Sequence, residues 1–253
     1  MMTCSERRRF ILEQLCESGS VKVEKLSKHF NVSTVTIRND LRSLEQQGCA
    51  ICFYGGAKLN QQFAFERTLN DKDAINKQLK KRIANKASTL INDGDKIILD
   101  SGSTVSQIVP FIQNKSLIIL TNALNIAFEL SQFENIELLV TGGHLSHKSW
   151  SLYGSLSEDL LQQYRFDKLF LGVDGFDIKN GLTTPNLMEA QLNKLMCRVA
   201  NEIIVVTDSS KFNRTSFCNI SDLNQVNKVI TDEKIPDLYH AMLLDSGIEV
   251  LIV

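Results

Sequence analysis

Small hydroxyl residues follow an apolar segment near the middle of the chain, in a pattern that suits phosphate binding. Residues 97–99 predict a buried strand, and Asp100-Ser101-Gly102-Ser103-Thr104 comes directly after it. If a helix begins in this run, its free backbone N–H groups and three hydroxyls would face an anion together. Gly102 would let the backbone approach that anion closely. Helix capping by Ser101 or Ser103 explains the same residues equally well.

Polar residues follow other predicted strands too, at the sheet edge where ligands of parallel α/β folds bind. These candidates are Thr121, Asn122, Gly143, Asp174, Gly175 and Lys211. Lys211 would supply a positive charge, while Asp100 or Asp174 would accept hydrogen bonds from sugar hydroxyls. The alternative for Lys211 is a solvated surface lysine. Neither a Walker lysine nor a G-x-G-x-x-G motif is present, which argues against a nucleoside triphosphate or a dinucleotide.

A second group of polar side chains, near the N-terminus, is spaced to contact DNA. Ile37, Leu41 and Leu44 recur at i, i+4 and i+7, which predicts a helix over residues 34–47 with one buried stripe. A short helix precedes it across a turn at residues 31–33, an arrangement that places the second helix in a major groove. The candidate DNA contacts are Ser33, Thr34, Thr36, Arg38, Asn39, Arg42 and Lys58. A protein-binding helix pair with a solvated basic face is the alternative.

Charge and turn residues separate this N-terminal part from the remainder. Residues 1–58 hold nine Lys or Arg against six Asp or Glu, so they carry +3 while the remainder carries −4. An apolar segment over residues 49–54 meets Gly55-Gly56, which predicts a hairpin and therefore a wing beside three helices. We expect a winged helix-turn-helix domain over residues 1–58, a linker over 59–75 and a second domain over 76–253.

The second domain alternates short apolar strands with helical patterns. The predicted strands cover residues 97–99, 117–120, 136–140, 169–173, 203–206, 229–230 and 250–253. Such alternation is typical of an α/β fold with a mainly parallel sheet and helices on both faces.

Metal, redox and membrane roles find little support in the sequence. Cys49 and Cys52 form a single C-x-x-C pair, and His144 and His147 a single H-x-x-H pair, without further ligands at suitable spacing. The six cysteines are expected to be reduced thiols. No apolar run approaches the roughly 18 residues needed to span a bilayer. We predict a cytoplasmic protein with no metal and no cofactor, and keep a redox or metal-responsive regulator as an alternative.

The N-terminal motif resembles a known signature. The run over residues 32–41, Val-Ser-Thr-Val-Thr-Ile-Arg-Asn-Asp-Leu, followed by Leu44-Glu45 and Gly55-Gly56-Ala57, resembles the DeoR family of bacterial repressors of sugar-catabolic operons. The resemblance extends over nearly the whole chain, and its C-terminal half is most similar to regulators of galactosamine, galactitol or sorbitol use. Asn39 stands where the family usually has arginine, and Cys52 and Tyr54 replace an arginine and a histidine of the wing. We therefore expect the helix and Lys58 to contribute more of the DNA contacts than the wing.

The resemblance implies a partner set and one enzymatic alternative. It implies operator DNA, release by a phosphorylated sugar (an amino-sugar, hexitol or ketose phosphate), a dimer or tetramer, and a sensor fold related to ribose-phosphate isomerases. The run Asp174-Gly175-Phe176-Asp177 resembles the acidic motif of those isomerases, and Glu189 lies where their general base would be. Their catalytic lysine has no counterpart, because Lys179 comes too early in the chain. We predict a binding pocket without turnover, with a sugar-phosphate isomerase as the alternative.

Overall fold

The computed structural model describes residues 3–46, 49–60 and 68–253. Its N-terminal part contains α1 (Cys4–Ser18), β1 (Ser20–Lys22), α2 (Val23–Phe30), α3 (Thr34–Gln46), β2 (Ala50–Phe53) and β3 (Gly56–Leu59). A capping box between Thr3 and Glu6 begins α1, and Gly19 ends it in the left-handed conformation. The predicted end of the third helix, at residue 47, lies outside the described residues.

The first three helices and a small sheet enclose one apolar core. Leu15 of α1, Leu26 of α2 and the predicted stripe of Ile37, Leu41 and Leu44 on α3 are all buried together. The strands form an antiparallel sheet in the order β1-β3-β2. These contacts confirm the winged helix-turn-helix expected from the sequence.

The hairpin turn of the wing falls one residue earlier than predicted. Tyr54 and Gly55 form it, and Gly55 has a φ of 88°, which favours glycine. Gly56 already belongs to β3, where a Cβ atom would lie 2.2 Å from the carbonyl oxygen of Val21. The second glycine is therefore required by close packing of β3 on β1 rather than by the turn.

The C-terminal part is a larger α/β unit. Its helices are α4 (Leu69–Ala74), α5 (Lys77–Ser88), α6 (Ser103–Ser106), α7 (Val109–Ile112), α8 (Leu124–Leu130), α9 (Ser155–Gln162), α10 (Leu187–Val199) and α11 (Asp237–Asp245). Its strands are β4 (Lys96–Leu99), β5 (Leu117–Thr121), β6 (Ile136–Val140), β7 (His144–Leu145), β8 (Leu152–Tyr153), β9 (Phe166–Leu171), β10 (Gly175–Asp177), β11 (Gly181–Thr184), β12 (Ala200–Val206), β13 (Cys218–Ser221), β14 (Lys228–Thr231) and β15 (Glu249–Ile252).

Seven of these strands form one parallel sheet in the order β15-β14-β12-β9-β4-β5-β6. Successive residues of β4 point to opposite faces, so Ile98 packs in one apolar cluster while Ile97 and Leu99 pack in another. The first cluster includes residues of α9, α10 and α11, and the second includes residues of α5, α7 and α8. Each of the seven predicted strands overlaps one of these strands, and the mainly parallel α/β fold with helices on both faces is confirmed.

Two smaller sheets were not expected from the sequence. Strands β10, β11 and β13 form an antiparallel sheet, and β7 pairs with β8. In addition, α4 lies within residues 59–75, which the sequence assigned to a linker. Within the described ranges, no helix is long and apolar enough to cross a membrane.

Candidate functional site

A cavity lies at the carboxyl ends of the central strands β4, β9 and β12. Asp100 follows β4, Asp174 follows β9 and Thr207 follows β12, so three adjacent strands deliver polar residues to one place. The residues that line it are Leu69, Lys72, Asp100, Ser101, Gly102, Ser103, Thr104, Ser149, Gly172, Val173, Asp174, Thr184, Glu189, Asn193, Thr207 and Lys211. Eight of these residues belong to the predicted ligand site.

The loop after β4 packs tightly against the loop after β9. A Cβ atom on Gly102 would lie 3.0 Å from the Cα atom of Gly172, so both loops need a residue without a side chain here. The backbone N–H of Gly172 donates a 3.2 Å hydrogen bond to the Asp100 carboxylate. This close packing fixes the hydroxyl-rich loop relative to the Asp174 side of the cavity.

Two lysines converge on one buried carboxylate. The Nζ atom of Lys72 lies 2.7 Å from an Asp174 oxygen, and Nζ of Lys211 lies 3.8 Å from the same oxygen. Burial disfavours the ionised Asp174, but the two ammonium groups outweigh it and lower its pKa. For Lys72, burial is likewise outweighed by the facing carboxylates, which raise its pKa. Burial lowers the pKa of Lys211 in spite of Asp174.

A second carboxylate is held by serine hydroxyls. Asn186 caps α10 and places Glu189 in its first turn, where the side chain accepts hydrogen bonds from Ser149 and, at 2.9 Å, from Ser151. Burial raises the pKa of Glu189, although the Ser149 hydrogen bond and the charge of Lys72 oppose this. Glu189 is therefore a fixed hydrogen-bond acceptor on the wall of the cavity.

Asp100 contributes a third carboxyl group to the cavity. Its side chain is buried, and burial raises its pKa to about 7, with Glu189 adding to the effect and backbone hydrogen bonds from Ser101 and Gly172 opposing it. A carboxyl group that changes charge near neutral pH is common at functional sites.

A third lysine supports the hydroxyl loop from behind. The buried Lys80 donates a 2.9 Å hydrogen bond to Oγ of Ser103 and another to the carbonyl oxygen of Lys72. Burial lowers the pKa of Lys80 to about 8, and the nearby Lys211 adds to the lowering while Asp208 opposes it. Lys80 thus connects α5 to both the loop and α4.

Four predicted ligand residues do not line the cavity. Thr121 donates a 2.7 Å hydrogen bond to the Leu99 carbonyl, and the neighbouring Asn122 is fully buried. A Cβ atom on Gly143 would lie 2.4 Å from the Tyr153 carbonyl, and Gly175 begins β10. Thr121 is the last residue of β5, Asn122 follows it, and Gly143 comes after β6. Both strands lie beyond β4 towards one edge of the sheet and therefore away from β9 and β12.

Eight lining residues were missing from the predicted site, and Lys72 is the most consequential of them. Lys72 lies on α4, inside the stretch assigned to the linker. A local signal for this helix exists, because Thr68 caps it and accepts a hydrogen bond from the backbone of Asp71. The Thr-x-x-Asp pattern at a helix start is recognisable in the sequence.

The candidate DNA-binding surface lies on α3 and the wing. Arg38, Asn39, Arg42, Lys58 and Ser33 are exposed, and Thr34 and Thr36 are half-buried. Ser33 caps α3, because its Oγ accepts a hydrogen bond from the backbone N–H of Thr36 at 3.1 Å. The arrangement presents two arginines and the wing lysine to solvent, as a DNA-binding face requires.

A buried ion pair, which sequence reasoning missed, attaches α3 to α1. Asp40 of α3 is almost fully buried and lies 2.5 Å from Nε of Arg7 and 3.1 Å from Nε of Arg8. Burial raises the pKa of Asp40, but hydrogen bonds from Arg7, Cys4 and Arg8 outweigh it and lower the pKa overall. The pair fixes the orientation of α3 relative to α1.

The cysteine and histidine motifs are not arranged as a metal site. Cys49 is fully buried, and Cys52 has a pKa raised by burial and by Glu45, which disfavours a reactive thiolate. His144 packs beside the ring of Tyr153. Across residues 3–46, 49–60 and 68–253, no group of three His, Cys, Asp or Glu residues is placed to hold a metal ion.

Comparison with known proteins identifies the two parts of the chain. Residues 7–63 match the DeoR-like helix-turn-helix domain, and residues 75–233 match the DeoR C terminal sensor domain. This chain belongs to the DeoR family. It is 46% identical to the putative aga operon transcriptional repressor of Escherichia coli O157:H7 over 98% of this chain and 94% of that protein. It is 30% identical to the glycerol-3-phosphate regulon repressor of Escherichia coli K12 over 98% of each protein.

The DeoR assignment makes the chain a DNA-binding transcriptional regulator and supports this function over the isomerase alternative, because these relatives are named as repressors rather than enzymes. Among solved structures, ribose 5-phosphate isomerase A from Methanocaldococcus jannaschii matches 54% of this chain and 55% of its own length, with 23% identity and a TM-score of 0.41. That similarity is too low to support a conclusion about activity.

Proposed function

We propose that this DeoR-family regulator represses a sugar-catabolic operon and is released from its operator by a phosphorylated sugar bound in the cavity. The observation that supports this most strongly is the convergence of Lys72 and Lys211 beside the hydroxyl loop over residues 101–104. Two ammonium groups and several hydroxyl donors match a phosphate monoester, which has charge and acceptor oxygens but few other features.

The other carboxyl groups of the cavity suit a sugar. Asp100 and Glu189 present buried carboxylate oxygens, which accept hydrogen bonds from hydroxyl or amino groups. A ligand that carries both a phosphate and such groups would pair with the lysines and with these carboxylates at once. An amino-sugar, hexitol or ketose phosphate has this form, and the names of the relatives, an aga operon repressor and a glycerol-3-phosphate regulon repressor, are consistent with this class.

On the DNA side, we propose that α3 enters the major groove and that Arg38, Asn39 and Arg42 contact bases or phosphates. Lys58 would contact a phosphate from the wing. Helix-turn-helix regulators bind paired half-sites as dimers, so self-association is part of this proposal. We propose the division into residues 1–58, 59–75 and 76–253, with α4 contributing to the sensor although it lies in the connecting segment.

Fluorescence anisotropy on DNA from upstream of this gene tests the proposal directly. The operator complex is titrated with hexose, hexosamine, ketose and hexitol phosphates and with their unphosphorylated parents. We expect at least one phosphate to release the DNA and its parent sugar to leave the complex intact. Absence of any DNA binding, or turnover of a phosphosugar by the chain, would favour the isomerase instead. A monomer in light scattering would contradict the dimeric model.

A further inference from the structure

One aromatic side chain of the sensor packs against the winged-helix domain. Phe217 lies directly before β13 and is half-buried. It packs against the apolar core of the winged helix, as do the partly buried Leu12 of α1 and Leu59 of β3. Across residues 3–46, 49–60 and 68–253, no other sensor side chain belongs to that cluster. Phe217 also packs against a main apolar core of the sensor, so its ring contacts both domains.

The loop that carries Phe217 is fixed to the small antiparallel sheet. The backbone N–H of Ser216 donates a 2.8 Å hydrogen bond to Oγ1 of Thr183, and this hydroxyl donates a 3.2 Å hydrogen bond to the carbonyl of Gly175. A Cβ atom on Gly175 would lie 2.6 Å from the carbonyl oxygen of Arg214, so β10 and the loop are in close contact. Groups packed this closely shift together. We therefore expect the loop and the sheet of β10, β11 and β13 to move as one body.

The same sheet reaches the cavity at the strand ends. Asp174, which faces two lysines there, directly precedes β10. Thr184, the last residue of β11, lines the cavity and donates a 3.3 Å hydrogen bond to the Asp174 carboxylate. Thr184 lies opposite Cys218 of β13, and Cys218 follows Phe217 in the chain. One hydrogen bond, one strand pairing and one peptide bond therefore connect the Asp174 carboxylate to Phe217.

The boundary between the two domains leaves room for movement. A second cavity, of about 510 Å³, is lined by Asn60 at the end of the wing and by sensor residues that include Asn213, Thr215 and Tyr239. An open volume beside the apolar contact means that the contact restrains the winged helix weakly, and domains joined by small interfaces commonly move relative to each other. A small displacement of the sheet would therefore change the orientation of the winged helix.

We propose that the sheet of β10, β11 and β13 transmits occupancy of the cavity to the winged helix through the Phe217 contact. The inference rests on the proposed function, because it requires an effector in the cavity. A ligand that binds beside Asp174 changes the forces on the residue that precedes this sheet. Phe217 converts the resulting displacement into a different presentation of α3 to DNA. Phe217 does not line the cavity, so it contributes to release of DNA and not to binding of the effector.

The test compares Phe217→Ala with the control Phe128→Ala in the full chain. Phe128 is 72% exposed on α8 of the sensor and belongs to none of the three apolar clusters. Operator affinity is measured by anisotropy without and with saturating galactosamine 6-phosphate, or with whichever phosphate of the panel releases the wild-type chain. The wild-type chain and Phe128→Ala should lose operator affinity by a factor of about 5 to 150, the usual range of allosteric coupling.

For Phe217→Ala, the ratio of operator affinities without and with saturating phosphosugar should fall to about 1 to 2, because the contact between the domains is lost. The phosphosugar concentration that half-saturates the DNA-free chain, followed by Trp150 fluorescence, should stay within a factor of about 3 of the wild-type value. A ratio equal to that of the wild-type chain, or a loss of phosphosugar binding by the folded variant, would overturn the inference.

Hydrogen exchange of the wild-type chain provides a second measurement, which decides the question if Phe217→Ala does not fold. Saturating phosphosugar should change the protection of amides in β13 and in β3, which lie on the two sides of the Phe217 contact. Unchanged protection in either strand would overturn the inference.

Failure of the proposed function would look different. In that case no sugar phosphate would release the wild-type chain from DNA, and hydrogen exchange of the two variants would test the Phe217 contact without any ligand. Amides of α1 and β3 should lose protection in Phe217→Ala and keep it in Phe128→Ala, because the winged-helix core loses a side chain that covers it. This result supports Phe217 as the connection between the domains. Equal protection in the two variants would overturn it.

Discussion

Replacing Asp100 by asparagine should stabilise the sensor domain and weaken effector binding at the same time. The carboxyl group is buried, and its pKa is raised to about 7 from an ordinary value of 3.8. Asparagine has nearly the same shape, keeps an oxygen that can accept the hydrogen bond from Gly172, and carries no charge at any pH. The substitution therefore removes the cost of burying the charge and also removes a strong acceptor for the ligand.

The size and pH dependence of the stabilisation follow from the pKa. Raising the pKa from 3.8 to about 7 costs the folded chain about 4 kcal/mol once the carboxyl group is ionised, since a tenfold change in an equilibrium constant is about 1.4 kcal/mol. We expect on the order of 1 to 4 kcal/mol, because asparagine is an imperfect partner for the loop. The folded-state pKa lies above the unfolded one, so the wild-type chain loses stability as the pH rises from about 4 through about 7. The advantage of Asp100→Asn should grow over the same interval and be largest at about pH 8.

Urea unfolding followed by the fluorescence of Trp150, the single tryptophan, measures this effect. Trp150 adjoins the two serines that bind Glu189, so its emission monitors the sensor rather than the wing. Asp159→Asn on the exposed face of α9 is the matched control and should change stability by less than about 0.5 kcal/mol. Equal or lower stability of Asp100→Asn at pH 8, or a gain that does not vary with pH, would refute this reasoning.

Two further predictions concern the DNA-binding domain. Arg38→Ala should lower operator affinity at least about tenfold. If Arg38 contacts a phosphate, the slope of log affinity against log salt concentration should also become shallower by about one. Lys179→Ala, an exposed change on the sensor, should leave the operator affinity measured by anisotropy unchanged. Unchanged binding by Arg38→Ala would exclude α3 as the DNA-contacting helix. Asp40→Ala should destabilise the domain by about 3 kcal/mol, because it leaves Arg7 and Arg8 without their shared carboxylate. A melting temperature within about 1 °C of that of the wild-type chain would contradict that role.

The parallel sheet could be predicted from the sequence because its central strands are buried on both faces. Such strands are continuous apolar runs, as at residues 97–99 and 203–206. The antiparallel sheet gives a weaker signal. Its strands β10 and β11 have three and four residues, and their glycines and threonines are equally typical of loops.

The part of the site that follows the central strands could also be predicted from the sequence. The loop over residues 100–104 and Asp174 follow adjacent central strands, so the rule that ligands bind at strand ends identified both. The same rule also selected Thr121 and Gly143, because strand order cannot be obtained from one sequence and β5 and β6 lie towards an edge. Lys72 pairs with Asp174 across 102 positions of the chain, a separation at which local spacing gives no information.

The most direct test of the account is the response of the operator complex to one sugar in two forms, phosphorylated and unphosphorylated, for the wild-type chain and Lys211→Met. The account predicts that only the phosphorylated form releases the DNA and that Lys211→Met moves the midpoint to at least about tenfold higher concentration. Release by the unphosphorylated sugar at the same concentration, or a midpoint that Lys211→Met leaves unchanged, would contradict a phosphate site in this cavity.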